Sequence, residues 1–179
     1  GCPTMKDSDG DGVDDINDPC PTAAGPVKYK GCPDSDGDGV ADNDDKCPNT
    51  PGTNMGCPEI RKEVRERLEF AMKAVQFETA RAILKPQSYG ILDEVAGIMR
   101  QYPDYKLSIE GHTDDVGEEK TNLMLSINRA QSCYDYLLTR GVAKERMNYT
   151  GFGERMPLSE NNTIEGRERN RRVEFRMVL

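Results

Sequence analysis

"EGHTDDVGEEKTNLMLSINRAQ", residues 110–131, changes its hydrophobic period midway. Just upstream, Leu107 and Ile109 alternate with Lys106, Ser108 and Glu110, the period of two expected of a half-buried strand. Downstream, Leu123, Ile127, Ala130, Cys133 and Leu137 recur at helical spacing, and Gly141 closes the run. The polar segment between them therefore leaves a strand tip and enters a long helix, from about Glu118 to Arg140. Thr113, Asp114 and Asp115 lie in that loop, and Asn122 and Arg129 ride on the helix.

The flanking segments extend the pattern. "PEIRKEVRERLEFAMKAVQF", residues 58–77, predicts a helix from Pro58 that turns strand-like at "KAVQF". "KPQSYGILDEVAGIMRQY", residues 85–102, puts Pro86 at a helix start and Ile91, Leu92, Val95, Ile98 and Met99 on one face. "RMNYTGFG", residues 146–153, reads as a strand or strand-turn. "GRERNRRVEFRMVL", residues 166–179, ends in a strand with Val173, Phe175, Met177 and Leu179 on one side. The order predicts an α/β (α+β) two-layer sandwich over residues 59–179, with a mixed sheet and helices on one face.

Residues 1–58 differ in kind. They hold twelve Asp, four Lys, no Glu and no Arg, whereas residues 59–179 hold twenty acids and twenty bases. The entire net charge of −8 lies in this arm, as do five of the six cysteines. Its few apolar side chains cannot build a core, so metals or disulfides must hold it. With a pI near 4.8 and no basic stripe, the chain has no nucleic-acid footprint. It opens with "GCPTMKD", inside a repeat, and is expected to be a fragment or a mature product.

"DSDGDGVDDIND", residues 7–18, aligns with "DSDGDGVADNDD", residues 34–45, at an offset of 27. Two carboxylates about 4 Å apart repel by roughly 4 kcal/mol at a surface-like dielectric, so a cation is expected between them. The spacing suits calcium. Asp7, Asp9 and Asp11 fall at loop positions 1, 3 and 5, the Val13 carbonyl at 7, Asp15 at 9 and Asp18 at 12. The second set is Asp34, Asp36, Asp38, Val40, Asp42 and Asp45. Aspartate, not glutamate, stands at position 12, and no amphipathic helices flank the loops. The stretches resemble thrombospondin type 3 repeats, which implies a stiff, calcium-filled rod with little regular secondary structure. Pairing within each unit, Cys20 with Cys32 and Cys47 with Cys57, would close short loops worth about 3 kcal/mol each. Cys2 would then lack a partner; spacing alone does not decide connectivity. Disulfides and calcium both point outside the cytoplasm. Zinc is the weaker reading, since no C-x-x-C is present.

Asp114 and Arg129 place a carboxylate and a guanidinium near one mouth of the fold. They suit either a zwitterionic ligand or a salt bridge bracing strand to helix. His112, the only histidine, reads as a structural hydrogen-bonder, and Cys133 as a core thiol. No nucleophile–base set accompanies them, so no enzyme is expected.

"GHTDDVG…N…LS..RA", "GFGERMP…N.T..GRERNRRVE" and "VQFETARAILKPQSYGILDEVA" together resemble the OmpA C-terminal domain family, shared by peptidoglycan-associated lipoprotein and the stator anchor MotB. The resemblance implies non-covalent peptidoglycan binding in the periplasm by a domain of an outer-membrane protein. It assigns Asp114 and Arg129 to the amino-acid head of diaminopimelate in the stem peptide. Thr113, the Val116 backbone, Asn122 and Arg171 follow as supporting contacts. Where some members carry Asn three residues after the first-strand Phe, this chain has Ala80 after Phe77. A homodimer is admitted without being required. The rival reading is a calcium-dependent adhesion module.

Overall fold

The computed structural model describes residues 6–179, so Cys2 lies outside the described residues. The chain divides into two compact units, Gly1–Ile60 and Arg61–Leu179. In the first, the described residues form one short 3-10 turn, Val27–Tyr29, and otherwise loops. Both repeats close in the same way. Asp7 accepts from the N–H groups of Gly10 and Gly12 at 2.8 and 3.1 Å, and Asp34 from those of Gly37 and Gly39 at 2.9 and 3.1 Å. Gly12 and Gly39 adopt φ of +94° and +100°, where a side chain would be strained, and this lets the loop wrap its own first carboxylate. Disulfides join Cys20 to Cys32 and Cys47 to Cys57, each with Cα atoms 5.1 Å apart.

The second unit contains α1 (Lys62–Ala74), α2 (Gln87–Gln101), β1 (Lys106–His112), α3 (Glu119–Thr139), β2 (Met147–Gly153), α4 (Ile164–Asn170) and β3 (Val173–Val178). β1 is central, parallel to β2 and antiparallel to β3. Leu107 and Ile109 are fully buried under the helical layer, with Leu92, Val95, Ala96 and Met99 of α2 and Leu137 of α3. The helix α3 lies directly on the sheet because two strand positions lack side chains. A Cβ at Gly111 would overlap the Ser126 carbonyl oxygen, and one at Gly151 would overlap the Ile127 nitrogen. The Ser126 hydroxyl then accepts from Gly153 N–H at 2.9 Å and donates to the Leu123 carbonyl at 2.7 Å.

The elements differ from the expected ones in three places. "KAVQF" is not a strand. Lys73 and Ala74 stay in α1, and Phe77 makes one isolated bridge with Leu84. The Ser88 hydroxyl accepts from the Gln76 N–H at 2.8 Å and donates to the Gln76 carbonyl at 2.9 Å, and that carbonyl also accepts from Lys85 N–H at 3.0 Å. Before the last strand stands a short helix, α4, capped by the Thr163 hydroxyl, which accepts from Gly166 N–H at 3.0 Å. The first helix also begins later than expected, at Lys62 rather than Pro58.

The sheet face away from α3 carries charge. Glu110 and Glu174 are direct cross-strand neighbours, a repulsive pairing. Arg172 donates from Nε to Glu174 at 2.7 Å, and Arg176 reaches Glu174 at 2.6 Å and Glu110 at 3.4 Å. His112 is 1% exposed beside this network and stacks on Phe152 at 5.4 Å. Neither of its ring nitrogens has a hydrogen-bond partner among the described residues. Burial, then the positive charge of Arg172, push its pKa down to about 4.

Two measurements test this packing. Gly111→Ala should lower the urea unfolding free energy by about 2–3 kcal/mol, because backbone opposes backbone there. Gly97→Ala, on α2 with only the Arg100 side-chain tip at 3.7 Å, should raise it by about 0.5–1 kcal/mol. The unfolded chain protonates His112 near pH 6.5, and the folded chain resists until about 4. Stability should therefore fall as pH drops through that window, by up to about 3 kcal/mol. His112→Phe should show that much less acid sensitivity in urea titrations.

Candidate functional site

The site forms where β1 ends against α3. Thr113 N–H donates to the Gly153 carbonyl at 2.9 Å, which ties the strand exit to β2. Asn122, buried on the first turn of α3, donates from Nδ2 to the carbonyls of Asp114 and Val116, both at 3.3 Å, and to Glu154 at 2.7 Å. It thus shapes the loop from beneath. Val116 N–H returns to the Asp114 carboxylate at 3.2 Å, while the Val116 side chain is exposed. These bonds aim Asp114, 8% exposed, into the mouth of the fold.

Arg129 approaches from α3. The residue is 7% exposed; its guanidinium lies 5.3 Å from the Phe77 ring centroid and donates from Nε to the Arg81 carbonyl at 3.1 Å. Neither terminal nitrogen hydrogen-bonds to the described residues, and no carboxylate pairs with it within 4 Å. Burial, then nearby Arg171, lowers its pKa, with Asp114 opposing. The Asp114–Arg129 salt bridge considered from the sequence does not form. Arg171, expected as a supporting contact, is instead the direct partner, with Nη1 2.6 Å from Asp114 Oδ2. The Thr113 hydroxyl is buried and also lacks a hydrogen-bond partner among the described residues.

Sequence reading missed the seat of Arg129. Phe77 and the Arg81 carbonyl belong to the loop between α1 and α2, roughly fifty positions away, and no local pattern marks them. In that loop Ala80 holds φ of 54°, a conformation that asparagine tolerates better than alanine. Asn170 and Arg172 were also missed. Asn170 is fully buried and bonds Leu158 N–H, Ser159 N–H and the Ser159 carbonyl at 2.8–3.0 Å; Arg172 donates to the Met156 carbonyl at 3.2 Å. Together they fix the loop on either side of Arg171.

In the first unit, Asp7, Asp9 and Asp11 bring one oxygen each within 4.8 Å of one another, and Asp34, Asp36 and Asp38 do the same. The Oδ2 atoms of Asp9, Asp18, Asp36 and Asp45 are buried with no donor among the described residues. Burial first, then neighbouring carboxylates, raise the pKa of Asp9; burial is also the leading cause for Asp36. Orphaned anionic oxygens facing one another fit a hard divalent cation. Val13 and Val40 donate their N–H groups to Asp11 and Asp38, both at 2.8 Å. Asp15 and Asp42 stand differently from the expected ninth-position ligands. Both oxygens of each bind the N–H and hydroxyl of Ser8 or Ser35, at 2.6–2.8 Å, and brace the loop.

Comparison with known proteins identifies the family of each unit. The OmpA family model matches residues 76–171, more than half of the chain, and the thrombospondin type 3 repeat model matches residues 2–28 and 33–55. The chain is 43% identical to outer membrane porin F of Pseudomonas aeruginosa, over 94% of its own length and 41% of the porin's. It is 42% identical to the peptidoglycan-binding protein ArfA of Mycobacterium tuberculosis, over 56% of its own length and 31% of that protein's. It therefore spans less than half the length of these curated relatives. A solved MotB-like protein from Desulfovibrio vulgaris superposes with a TM-score of 0.55 at 27% identity, covering 64% of this chain and 86% of that one. The chain belongs to the OmpA family.

Proposed function

We propose that residues 59–179 bind peptidoglycan non-covalently, through the free amino-acid end of diaminopimelate in the stem peptide. The observation that carries this reading is the buried guanidinium of Arg129, whose terminal nitrogens have no carboxylate of the fold to meet. A buried cation is costly unless paired, so the site is complete only with an external anion. Asp114, aimed into the same mouth, accepts the ammonium of that end group alongside Arg171. The Thr113 hydroxyl offers a further polar contact, and Asn122 holds the loop. No bond is made or broken. The peptidoglycan-binding name of one relative and the outer-membrane name of another support a wall anchor in the periplasm, part of an outer-membrane protein.

The arm, residues 1–58, is proposed to hold calcium at the two aspartate trios, with Asp18 and Asp45 completing each set and the Val13 and Val40 carbonyls within the same loops. The four orphaned carboxylate oxygens support this. Bound calcium would cancel the repulsion among them and stiffen loops already closed by disulfides.

Sedimentation with purified sacculi tests the wall contact. The protein should pellet, and Asp114→Ala and Arg129→Ala should each weaken binding by about 100-fold, as expected for a buried charge left without its partner. Retained binding by both variants, with the fold intact, would favour the adhesion reading; release of soluble muropeptides would reveal a hydrolase. Calorimetry with and without chelator tests the arm. Chelation should lower the transition of residues 1–58 and leave that of residues 59–179 in place; an unchanged trace would count against calcium.

A further inference from the structure

We infer that the two aspartate loops of the arm are not equivalent: the Tyr29 hydroxyl positions Asp34 and makes the second loop, residues 34–45, the tighter of the two calcium sites. The inference rests on the reading that both loops hold calcium, and it names the residue that ranks them.

Tyr29 ends the short turn Val27–Tyr29, inside the ring closed by Cys20 and Cys32. Its hydroxyl lies 2.8 Å from Lys28 Nζ and 3.0 Å from Asp34 Oδ2, and stands 4.0 Å from the place of a Cβ on Gly39. The neighbours decide where its proton goes. A lysine ammonium only donates, and an ionised carboxylate only accepts. The hydroxyl therefore accepts from Lys28 and donates to Asp34. Asp34 Oδ2 also accepts from Gly39 N–H at 3.1 Å, so both its lone pairs are taken. Oδ1 accepts from Gly37 N–H at 2.9 Å and keeps one lone pair open. The carboxylate at loop position 1 is thus held with a single oxygen left for the ion.

The first loop lacks this arrangement. Among the described residues Asp7 accepts only from Gly10 and Gly12, and the position five residues before it is Cys2, which carries no hydroxyl. Asp7 is exposed, whereas Asp34 is half-buried. The rest of the frame repeats. Asp11 and Asp38 accept from Gly25 and Gly52 at 3.0 and 2.9 Å. Asp18 and Asp45 are 5% and 8% exposed, each with Oδ2 lacking a donor among the described residues, and their charges act on Asp9 and Asp36. Each loop carries six aspartates, so overall charge does not rank them. What differs is order and shielding at position 1. A ligand held in place beforehand loses less freedom on binding, and a less hydrated carboxylate attracts the ion more strongly. A hydrogen bond to a charged group of this kind supports a difference of about tenfold in affinity.

The test is calorimetric titration of the full chain with calcium in two variants. Asp9→Asn disables the first loop and leaves the second to report; Asp36→Asn does the reverse. The second loop should bind about tenfold more tightly than the first. Adding Tyr29→Phe, which removes only the hydroxyl, should bring the second loop to within about threefold of the first and leave the first within about twofold of its own value. Tyr29 is the only aromatic residue of the arm, so terbium gives a second readout that needs no ligand variant. On excitation of tyrosine, the unmodified chain should reach most of its terbium emission with the first equivalent bound, and Tyr29→Phe should abolish it. Equal calcium affinities, an equal effect of Tyr29→Phe on both loops, or emission that rises only with the second equivalent overturns this inference and leaves the calcium reading standing. Absence of binding at either loop overturns both.

Discussion

The constraint on which the second unit's site depends is a buried cation, Arg129, that hydrogen-bonds to no acid among the described residues. A guanidinium in such surroundings would normally turn toward water or draw in an acid. Here it cannot turn, because the Arg81 carbonyl holds Nε and Phe77 covers a face. It cannot draw in Asp114, because Arg171 already occupies that carboxylate. Asp114 and Arg129 thus do not pair with each other, and the internal salt bridge of this site joins Asp114 to Arg171 instead.

That separation is produced by packing. With backbone against backbone at Gly111 and Gly151, α3 lies as close to β1 and β2 as contact allows. Ser126 locks the contact through Gly153, and the first turn of α3 then presents Asn122 beneath the loop that carries Asp114. Arg129 lies two turns further along the same helix. Register between helix and strand tip therefore sets the distance between the two charges. On the reverse face, Arg172 and Arg176 offset the repulsion of Glu110 and Glu174.

The elements with strong periodicity were legible in the sequence. The β1 strand, α2 and α3 follow from alternation or helical spacing, and the aspartate alternation with its glycines foretold the two closed loops. Features that depended on distant partners were not legible. "KAVQF" has the composition of a strand, but α1 runs on through Ala74 and only one bridge, Phe77 with Leu84, forms after it. The α4 helix is only seven residues long and is fixed by a cap and by Asn170. The identities of Asp114, Arg129 and Arg171 were visible, but their pairing was not. Which of two arginines reaches an aspartate depends on side-chain geometry across 57 positions, and no spacing rule encodes that.

The two units share a physical logic with opposite signs. Each holds charge that its own chain does not cancel: carboxylate oxygens without donors in the loops, a guanidinium without an acid at the strand tip. Such arrangements lower stability and persist only on a scaffold that over-determines them. In the first unit that scaffold is two disulfides and the Ser8 and Ser35 braces; in the second it is the glycine-mediated contact of helix and sheet. On the proposed reading, a ligand bound at either place would stabilise the unit that holds it, because it would supply the charge that folding left out.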